Sequence, residues 1–314
     1  MEHPDTLTAM NNLALTLGDQ GDLSGARSLQ EQVLATQLRL LGEEHPKTQS
    51  SITNLAATLR IQGDFASARK LQEQALATRR RVLGEEHPDT LTAMHSLALT
   101  LRAQGDLASA RTLQEQVLAT RHRIFGEGHP DILSSMNNLA GTLRAQRDLT
   151  NARGLQEQVL TISRRIFGEQ HPHTLTAMNN LAMTLSDQGD LSGARSLQEQ
   201  VLATCHLLLG AEHPNTLTAM HNLAMTLTNQ DDLRGARLLQ QQVLASRYRI
   251  LGAEHPDTTS AEWNLFITLS ASGDRVAAIS VRQKLYWLLQ REPSTLSDTQ
   301  RQIREQFQQI LDAS

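Results

Sequence analysis

The sequence predicts an all-α solenoid of seven helix-turn-helix repeats followed by a C-terminal capping helix, and three observations support this prediction. The dipeptide His-Pro recurs every 42 residues, without insertion or deletion, starting at His3, His45, His87, His129, His171, His213 and His255. A fixed period of this size is typical of repeat proteins, whose length sets the number of stacked units. Between these dipeptides, apolar residues recur at helical spacing, and a turn signal divides each repeat into two helices.

Composition excludes several classes of function. The chain of 314 residues carries a formal net charge of -4, which gives no support for a nucleic-acid partner. No apolar run approaches the roughly 18 residues of a membrane span. Because Cys205 is the single cysteine, no intrachain disulfide can form, and we expect a reducing compartment, the cytoplasm. The first residues lack a signal-peptide pattern and enter a repeat at once, so we expect the chain to be cut from a longer array.

The first helix of each repeat, which we call helix A, begins at the proline. Pro4 suits the first turn of a helix, where its missing N–H costs nothing. The apolar residues that follow fall at i, i+3, i+4 and i+7, which predicts a helix of about 15 residues with one apolar stripe. They are Met10, Leu13, Ala14 and Leu17.

A Gly-Asp pair ends helix A and starts the second helix, helix B. Glycine accepts the left-handed backbone that closes a helix, and aspartate caps the next helix. In the first repeat, helix B is predicted to run from about Leu23 to Leu41. Arg147 and Asp231 replace the glycine in two copies, and each should cost about 1 kcal/mol if the backbone there has a positive φ.

Two antiparallel helices with one apolar side each cannot bury that side alone, so neighbouring repeats must cover it. Small alanines in helix B let the helix axes approach closely, and leucines fill the gap between them. We place the repeats at about 1–42, 43–84, 85–126, 127–168, 169–210, 211–252 and 253–291, and the capping helix within 292–314. The capping helix has an apolar face formed by Leu296, Ile303, Phe307 and Ile310. The first repeat has no such cap and should offer a partly bare face.

The stretches NNLALTL, GDLSGAR and LQEQVLATQLRLLG of the first repeat resemble a tetratricopeptide repeat (TPR). The 42-residue period and the linker LGEEHPDT are most similar to the kinesin light chain-like and nephrocystin-like type. This resemblance covers about residues 1–291 and implies a right-handed superhelix whose A helices line a concave groove. Helix B departs from the family because glutamine replaces a large aromatic residue, from which we expect looser packing. The glutamines are Gln30, Gln72, Gln114, Gln156, Gln198 and Gln240.

One set of groove residues carries side-chain amides at the same position of successive A helices. A row of amides roughly 10 Å apart can hold the main chain of an extended peptide whatever its sequence, as asparagine does in related arrays. The amides are Asn12, Asn54, Asn138, Asn180, Asn222 and Asn264. Alternatively, these amides tie neighbouring A helices together, and the two roles can coexist.

A second set places arginine in three consecutive repeats, at Arg60, Arg102 and Arg144. Arginine pairs well with carboxylate, so we expect a partner with acidic groups over the second to fourth repeats. The alternative is a solvated face, or pairing with acidic residues of the same array. His95 and His221 are further groove residues, but they lie three repeats apart, too far to share a metal ion.

A third set is mostly apolar: Leu15, Ala57, Leu99, Gly141, Met183, Met225 and Ile267. These residues can form shallow pockets for the side chains of a ligand, or they can pack between adjacent helices. The pattern slightly favours packing.

No catalytic motif appears, since the phosphate-binding loop, the dinucleotide-binding Gly-rich turn and the His-Glu-x-x-His metal motif are missing. We therefore expect no enzyme activity, no cofactor and no metal. The sequence predicts an interaction scaffold that holds a peptide or partner segment, with no nucleic-acid or membrane partner. The alternatives are a sensor arm of a larger nucleotide-dependent signalling ATPase, a homo-oligomer formed through the uncapped first repeat, and a recently duplicated or designed array without a ligand.

Overall fold

The structure is a computed structural model that describes residues 3–126 and 128–312. Helices follow one another in regular pairs, and no strand occurs in the part of the chain that is described, so the predicted all-α repeat fold is confirmed. The chain divides into two compact units, Met1–Leu155 and Gln156–Ser314.

The first unit contains α1 to α7, and each helix packs against the next one along the chain. Their bounds are α1 Pro4–Asp19, α2 Leu23–Leu41, α3 Pro46–Ile61, α4 Phe65–Leu83, α5 Pro88–Ala103, α6 Leu107–Phe125 and α7 Pro130–Ala145. Helix α8, Leu149–Phe167, begins in the first unit and ends in the second. The predicted bounds of helix B in the first repeat agree with α2.

The second unit contains the remaining helices. Their bounds are α9 Pro172–Asp187, α10 Leu191–Leu209, α11 Pro214–Asn229, α12 Leu233–Leu251, α13 Pro256–Ala271, α14 Arg275–Lys284, α15 Trp287–Gln290 and α16 Asp298–Asp312, with a 3-10 turn at Pro293–Thr295. Odd-numbered helices up to α13 are A helices. The helices α9 to α14 pack in chain order, and α16 packs on α13 and α15.

The His-Pro dipeptide recurs because both of its residues start a helix. The proline takes the first helical position, and the histidine before it is the N-cap. In α5, for example, the imidazole Nδ1 of His87 accepts a hydrogen bond of 3.1 Å from the backbone N–H of Asp89. This bond satisfies one of the amide groups that every helix leaves unpaired at its N-terminus.

Helix B starts at an aspartate N-cap. The carboxylate of Asp22 accepts a hydrogen bond from the Gly25 N–H at 2.9 Å, and Asp106 does the same for Ser109. In the turn before this cap, Arg147 has φ 65° and Asp231 has φ 64°. Both residues therefore adopt the left-handed backbone that favours glycine, and the predicted cost of about 1 kcal/mol applies to each.

Helix B buries both its alanines and its glutamines. The alanines Ala26, Ala68, Ala110, Ala152, Ala194 and Ala236 are fully buried. All six glutamines that stand in place of the family's aromatic residue are buried too, with exposed fractions between 2% and 7%. The amides are therefore enclosed between helices, and the expectation of looser packing stays a prediction. In all six, the Oε1 atom has no hydrogen-bond partner among the described residues.

Arginines on helix B connect consecutive repeats. Arg195 donates to Glu199 one turn later at 2.7 Å, and its Nη1 lies 3.6 Å from the carboxylate of Asp232, the N-cap of the next helix B. The same arrangement joins Arg111 to Asp148 in the first unit. Each pair is substantially exposed and contributes little alone, but it favours the same register at successive repeats.

The two ends of the array differ. Helix α16 begins 42 residues after Pro256 and so occupies the place of an eighth helix A. It buries Ile303 and Phe307, and the Phe307 ring lies 6.4 Å from that of Trp263, edge-on. On α1, Leu13 is 51% exposed, whereas the leucines at the same position of the other A helices are buried.

Candidate functional site

The amide row lies on the A helices at the predicted positions. Asn12 is exposed, whereas the other asparagines of the row are half-buried. Asn138 donates its side-chain N–H to the carbonyl of Ser134 on its own helix, at 2.8 Å. Among the residues that the structure describes, the side chains of Asn54, Asn222 and Asn264 have no hydrogen-bond partner. For these three asparagines, the alternative that the amide ties neighbouring helices finds no support.

The three arginines occupy the last turns of α3, α5 and α7, where the negative end of the helix dipole favours a cation. All three are half-buried. Within residues 3–126 and 128–312, neither Arg60 nor Arg102 has a carboxylate partner. Burial lowers the pKa of Arg102, and the like charges of Arg144 and Arg60 lower it further. The first unit therefore holds a row of cations that interact with one another.

Gly141 on α7 leaves space for the guanidinium group of Arg102 because it has no side chain. The Nη1 atom of Arg102 lies 2.6 Å from the place that a Cβ atom at residue 141 would take. Any other residue at this position would displace the guanidinium group. Gly141 therefore allows Arg102 to reach from α5 over α7.

The second unit has hydroxyl groups where the first has arginines. The corresponding residues of α9, α11 and α13 are Ser186, Thr228 and Ser270. Thr228 donates to the Ala224 carbonyl at 2.9 Å, and Ser270 to the Phe266 carbonyl at 2.8 Å. These two hydroxyls bond back to their own helices and present a neutral surface.

The apolar set is more exposed than the sequence pattern favours. Leu15 is 50% exposed, Met183 39%, and Met225 and Ile267 are each 40% exposed. For these four residues, the slight preference for packing between helices is wrong, because the helices meet along a different face. Exposed methionine adapts its shape to many apolar partners.

His95 and His221 are half-buried and each faces a buried arginine from helix B. Arg121 donates to the Asp131 carbonyl at 3.0 Å, and Arg247 to the Asp257 carbonyl at 2.8 Å. Burial lowers the pKa of both imidazoles, and the neighbouring arginine lowers it further. Both contributions favour the neutral form of the imidazole.

Sequence reasoning missed these helix-B arginines, although the sequence contains a signal for them. Arg79, Arg121 and Arg247 each precede by ten residues an aspartate at the start of the next helix A. At the three other boundaries with a complete helix B, the arginine and the aspartate are both replaced. The replacements are Gln37 with Lys47, Ser163 with His173, and Cys205 with Asn215.

The described residues contain neither a metal cluster nor a membrane span. No group of three or more histidine, cysteine, aspartate or glutamate side chains within 3–126 and 128–312 is arranged to hold a metal ion. No helix in the same residues combines the length and apolar character that crossing a membrane requires.

Comparison with protein families identifies the array. Models described as tetratricopeptide repeat match residues 5–80, 47–123, 96–164 and 131–205, and a further tetratricopeptide repeat model matches residues 216–257. The chain belongs to the tetratricopeptide repeat family. Proteins with TPR arrays generally act as non-catalytic scaffolds that mediate protein–protein interactions. Comparison with curated protein sequences gives no match.

Solved structures place the TPR array near kinesin light chain-like proteins. A kinesin light chain-like protein of Podosopora anserina with nearly identical TPR-like repeats is 33% identical, with 66% of this chain and 98% of that chain covered, at a TM-score of 0.60. BtubC from P. vanneervenii is 22% identical, with 73% and 92% covered, at a TM-score of 0.60. The predicted resemblance to the kinesin light chain-like type is confirmed.

A more distant structure shares only the fold. It is a signal transduction ATPase with numerous domains and a tetratricopeptide repeat sensor, from Pyrococcus horikoshii. The two chains are 11% identical, with 91% of this chain and 43% of that chain covered, at a TM-score of 0.61.

Proposed function

We propose that the TPR array is a scaffold whose A helices bind an extended segment of a protein partner, in a reducing compartment and without catalysis. The asparagine row would hold the main chain of this segment. Asn54, Asn222 and Asn264 support this role, because their amides have no partner among the described residues and are only half-buried. An amide offers a donor and an acceptor, as a peptide main chain requires.

The arginines of the first unit would select acidic residues in the partner. The observation that carries this proposal is that Arg60 and Arg102 are half-buried, near like charges, and have no carboxylate partner in the described chain. A buried or partly buried charge is normally paired, so an acidic residue of a partner would relieve the repulsion within the row. In the second unit, Met183 and Met225 would contact apolar side chains of the segment.

Selection from a random-peptide display library tests this function while the partner is still unidentified. The full chain is immobilised, and we expect enriched peptides that are rich in aspartate and glutamate. Labelled copies of these peptides are then titrated by fluorescence anisotropy against wild type and a variant that combines Asn54→Ala, Asn222→Ala and Asn264→Ala. If the amides contact the peptide main chain, the variant should bind all selected peptides more weakly and to a similar extent. Failure to enrich any peptide, or equal affinity of the variant, would contradict the proposal.

The fold shared with the ATPase of Pyrococcus horikoshii favours a second candidate, in which the repeats are the sensor arm of a nucleotide-dependent signalling protein. This candidate requires an ATPase module, in the same polypeptide or as a partner. Sequencing the complete transcript and assaying the full-length product for ATP hydrolysis, with and without a selected peptide, distinguishes the two. Hydrolysis that changes on peptide addition supports the sensor role, and a product without an ATPase module excludes the version in the same polypeptide.

The exposed Leu13 on α1 favours self-association through the first repeat as a third candidate. Light scattering at increasing protein concentration, with Leu13→Glu as the comparison, tests it. A mass that rises with concentration for wild type and stays monomeric for the variant supports this candidate, and a strict monomer excludes it.

A further inference from the structure

Helix α3 departs from the other A helices at a buried position. The fourth residue of helix A is leucine in five of the seven A helices, and all five leucines are buried: Leu7, Leu91, Leu133, Leu175 and Leu217. In α13 this residue is Thr259. In α3 this position is Gln49, which is 6% exposed. A buried amide in place of leucine is unfavourable unless it is fully hydrogen-bonded. Buried glutamines with an unpaired Oε1 also occur on the B helices, and Gln49 differs from them in lining a cavity of about 310 Å³.

The amide of Gln49 is satisfied on one side only. Its Nε2 donates to the backbone carbonyl of Glu43 at 3.0 Å, and this contact fixes the orientation of the amide because a carbonyl can only accept. Its Oε1 is buried and has no hydrogen-bond partner within the described chain. A donor from another molecule would complete this group.

Gln49 lines a cavity of about 310 Å³ between the first turns of α3 and α5 and the last turn of α4. The lining residues are Glu44, Pro46, Gln49, Ser50, Thr78, Arg79, Val82, Leu83 and Asp89. This volume lies at the lower end of small-molecule pockets, which span roughly 300–1,000 Å³. The cavity lies entirely within the first unit and does not include the amide row or Arg60, Arg102 and Arg144.

Arg79 supplies hydrogen-bond donors in the same cavity. Its guanidinium donates to the Asp89 carbonyl at 3.1 Å, to the Thr53 hydroxyl at 2.9 Å and to the Gln49 backbone carbonyl at 3.4 Å. All three acceptors are neutral, and two of the five N–H groups of the arginine stay available. At the corresponding positions of α6 and α12, Arg121 and Arg247 follow an A helix that has leucine instead of Gln49. The combination of glutamine and arginine therefore occurs at α3 and α4 alone among the described helices.

We propose that this cavity binds an uncharged ligand that carries an amide group next to a short apolar group. The ligand N–H donates to Gln49 Oε1, and its carbonyl accepts from Arg79. The apolar group lies against Pro46, Val82 and Leu83, of which Val82 is 48% exposed. A carboxylate ligand is disfavoured because the cavity is also lined by Asp89 and Glu44. A capped amino acid has the required chemistry, and this site is independent of the proposed groove function.

The test uses N-acetyl-leucinamide as the probe, titrated into the full chain and followed by saturation-transfer difference NMR. We expect saturable binding to wild type and roughly tenfold weaker binding to Gln49→Leu, which removes one buried hydrogen bond. Arg79→Gln should weaken binding as well, whereas Arg102→Ser serves as the matched control and should leave it unchanged. N-acetyl-leucine, whose carboxylate replaces the amide, should bind more weakly than the probe. No saturable binding to wild type, or equal binding to Gln49→Leu, would overturn the proposal.

Thermal unfolding of the same Gln49→Leu variant distinguishes a loss of ligand binding from a loss of folding. Because leucine is the residue of five other A helices and removes an unpaired acceptor, the variant should unfold at a higher Tm than wild type. A lower Tm would show that Gln49 serves the fold rather than a ligand, and would also overturn the proposal.

Discussion

The A helices of the two units share their caps and much of their core but differ in the residues on their exposed side. We compare α3, α5 and α7 of the first unit with α9, α11 and α13 of the second. All six begin with the same His-Pro cap and share two buried leucine positions, those of Leu55 and Leu59 in α3. A third leucine position is Gln49 in α3 and Thr259 in α13. On the exposed face, arginine in the first unit is replaced by serine or threonine in the second, and the small residues Ala57 and Gly141 have Met183 and Met225 as counterparts. Positions that start helices or fill the core are constrained by packing, whereas face positions are free to carry binding chemistry.

The largest expected effect on stability comes from replacing Glu262, a core residue of the second unit. It tests whether core positions there are constrained by packing. Glu262 on α13 is fully buried where the first unit has Ile52, Met94 and Met136. Burial raises the pKa of Glu262, while hydrogen bonding to Tyr248 and the charge of Lys284 lower it. We expect Glu262→Met to stabilise the fold by about 1–3 kcal/mol at pH 8, measured by chemical unfolding.

The pH dependence of this effect follows from the direction of the shift. Because the folded state raises the pKa of Glu262, its contribution to stability is present below the unfolded pKa of about 4.3 and is lost as pH rises through the folded pKa. The advantage of Glu262→Met should therefore grow from pH 4 to pH 8. Met220→Leu, at the same position of α11, is the control and should show no such trend. An advantage that is constant with pH would contradict the buried-acid interpretation.

The second effect concerns the arginine row. Gly141→Met introduces the residue of the second unit into α7, where its Cβ would meet the Arg102 guanidinium. We expect about tenfold weaker binding of acidic peptides, with little change in Tm, since the displaced atoms are the end of a flexible side chain. Ala57→Met, at the same position of α3, is the matched control. Equal losses in the two variants would indicate that bulk, not Arg102, matters.

The third effect concerns the two described residues other than glycine that have a positive φ, Arg147 in the first unit and Asp231 in the second. Arg147→Gly and Asp231→Gly both restore glycine at a positive φ, so each should stabilise its unit by about 1 kcal/mol. Chemical unfolding of the single variants and of the double variant measures this. Additive gains are expected because the sites are far apart in the chain and share no partner. No gain in either variant would refute the strain that the backbone angles indicate.

The smallest effect is the loss of stability in acid that is due to His95 and His221. Each faces an arginine at the same position of helix B, Arg121 for His95 and Arg247 for His221. The folded state lowers the pKa of both imidazoles, so their contribution to stability is present above pH of about 6.5 and is lost as pH falls towards the folded pKa. His95→Asn and His221→Asn, which introduce a residue found at this position in other repeats, should flatten the stability between pH 7 and pH 5. Unfolding midpoints that fall as steeply as in wild type would contradict this.

The sequence predicted the helix bounds and caps well because capping and helical periodicity depend on residues close together in the chain. The bounds of α2, the caps at the aspartates and the backbone at Arg147 all follow from neighbouring residues. It also placed the asparagine and arginine sets, whose binding roles stay predictions. Sequence patterns could not give the exposure of Met183 or the reach of Arg102 over Gly141, since both depend on how helices from different repeats meet.

Two features could have been found in the sequence. Gln49 interrupts a leucine position, and arginine at the end of helix B recurs together with aspartate at the next helix A. Both are visible only when repeats are compared position by position at polar sites as well as apolar ones. Their contacts, which involve Arg79, still require the structure.

The most direct test of the account exchanges the arginines and hydroxyls between the two units. One variant carries Arg60→Ser, Arg102→Thr and Arg144→Ser, and the reverse variant adds Ser186→Arg, Thr228→Arg and Ser270→Arg to the first. Each is titrated with an acidic peptide from the library selection and with its glutamine counterpart. If the arginine row selects the partner, the first variant loses the preference for the acidic peptide and the reverse variant regains one. An acidic preference that persists unchanged in the first variant would contradict the claim that these arginines choose the partner.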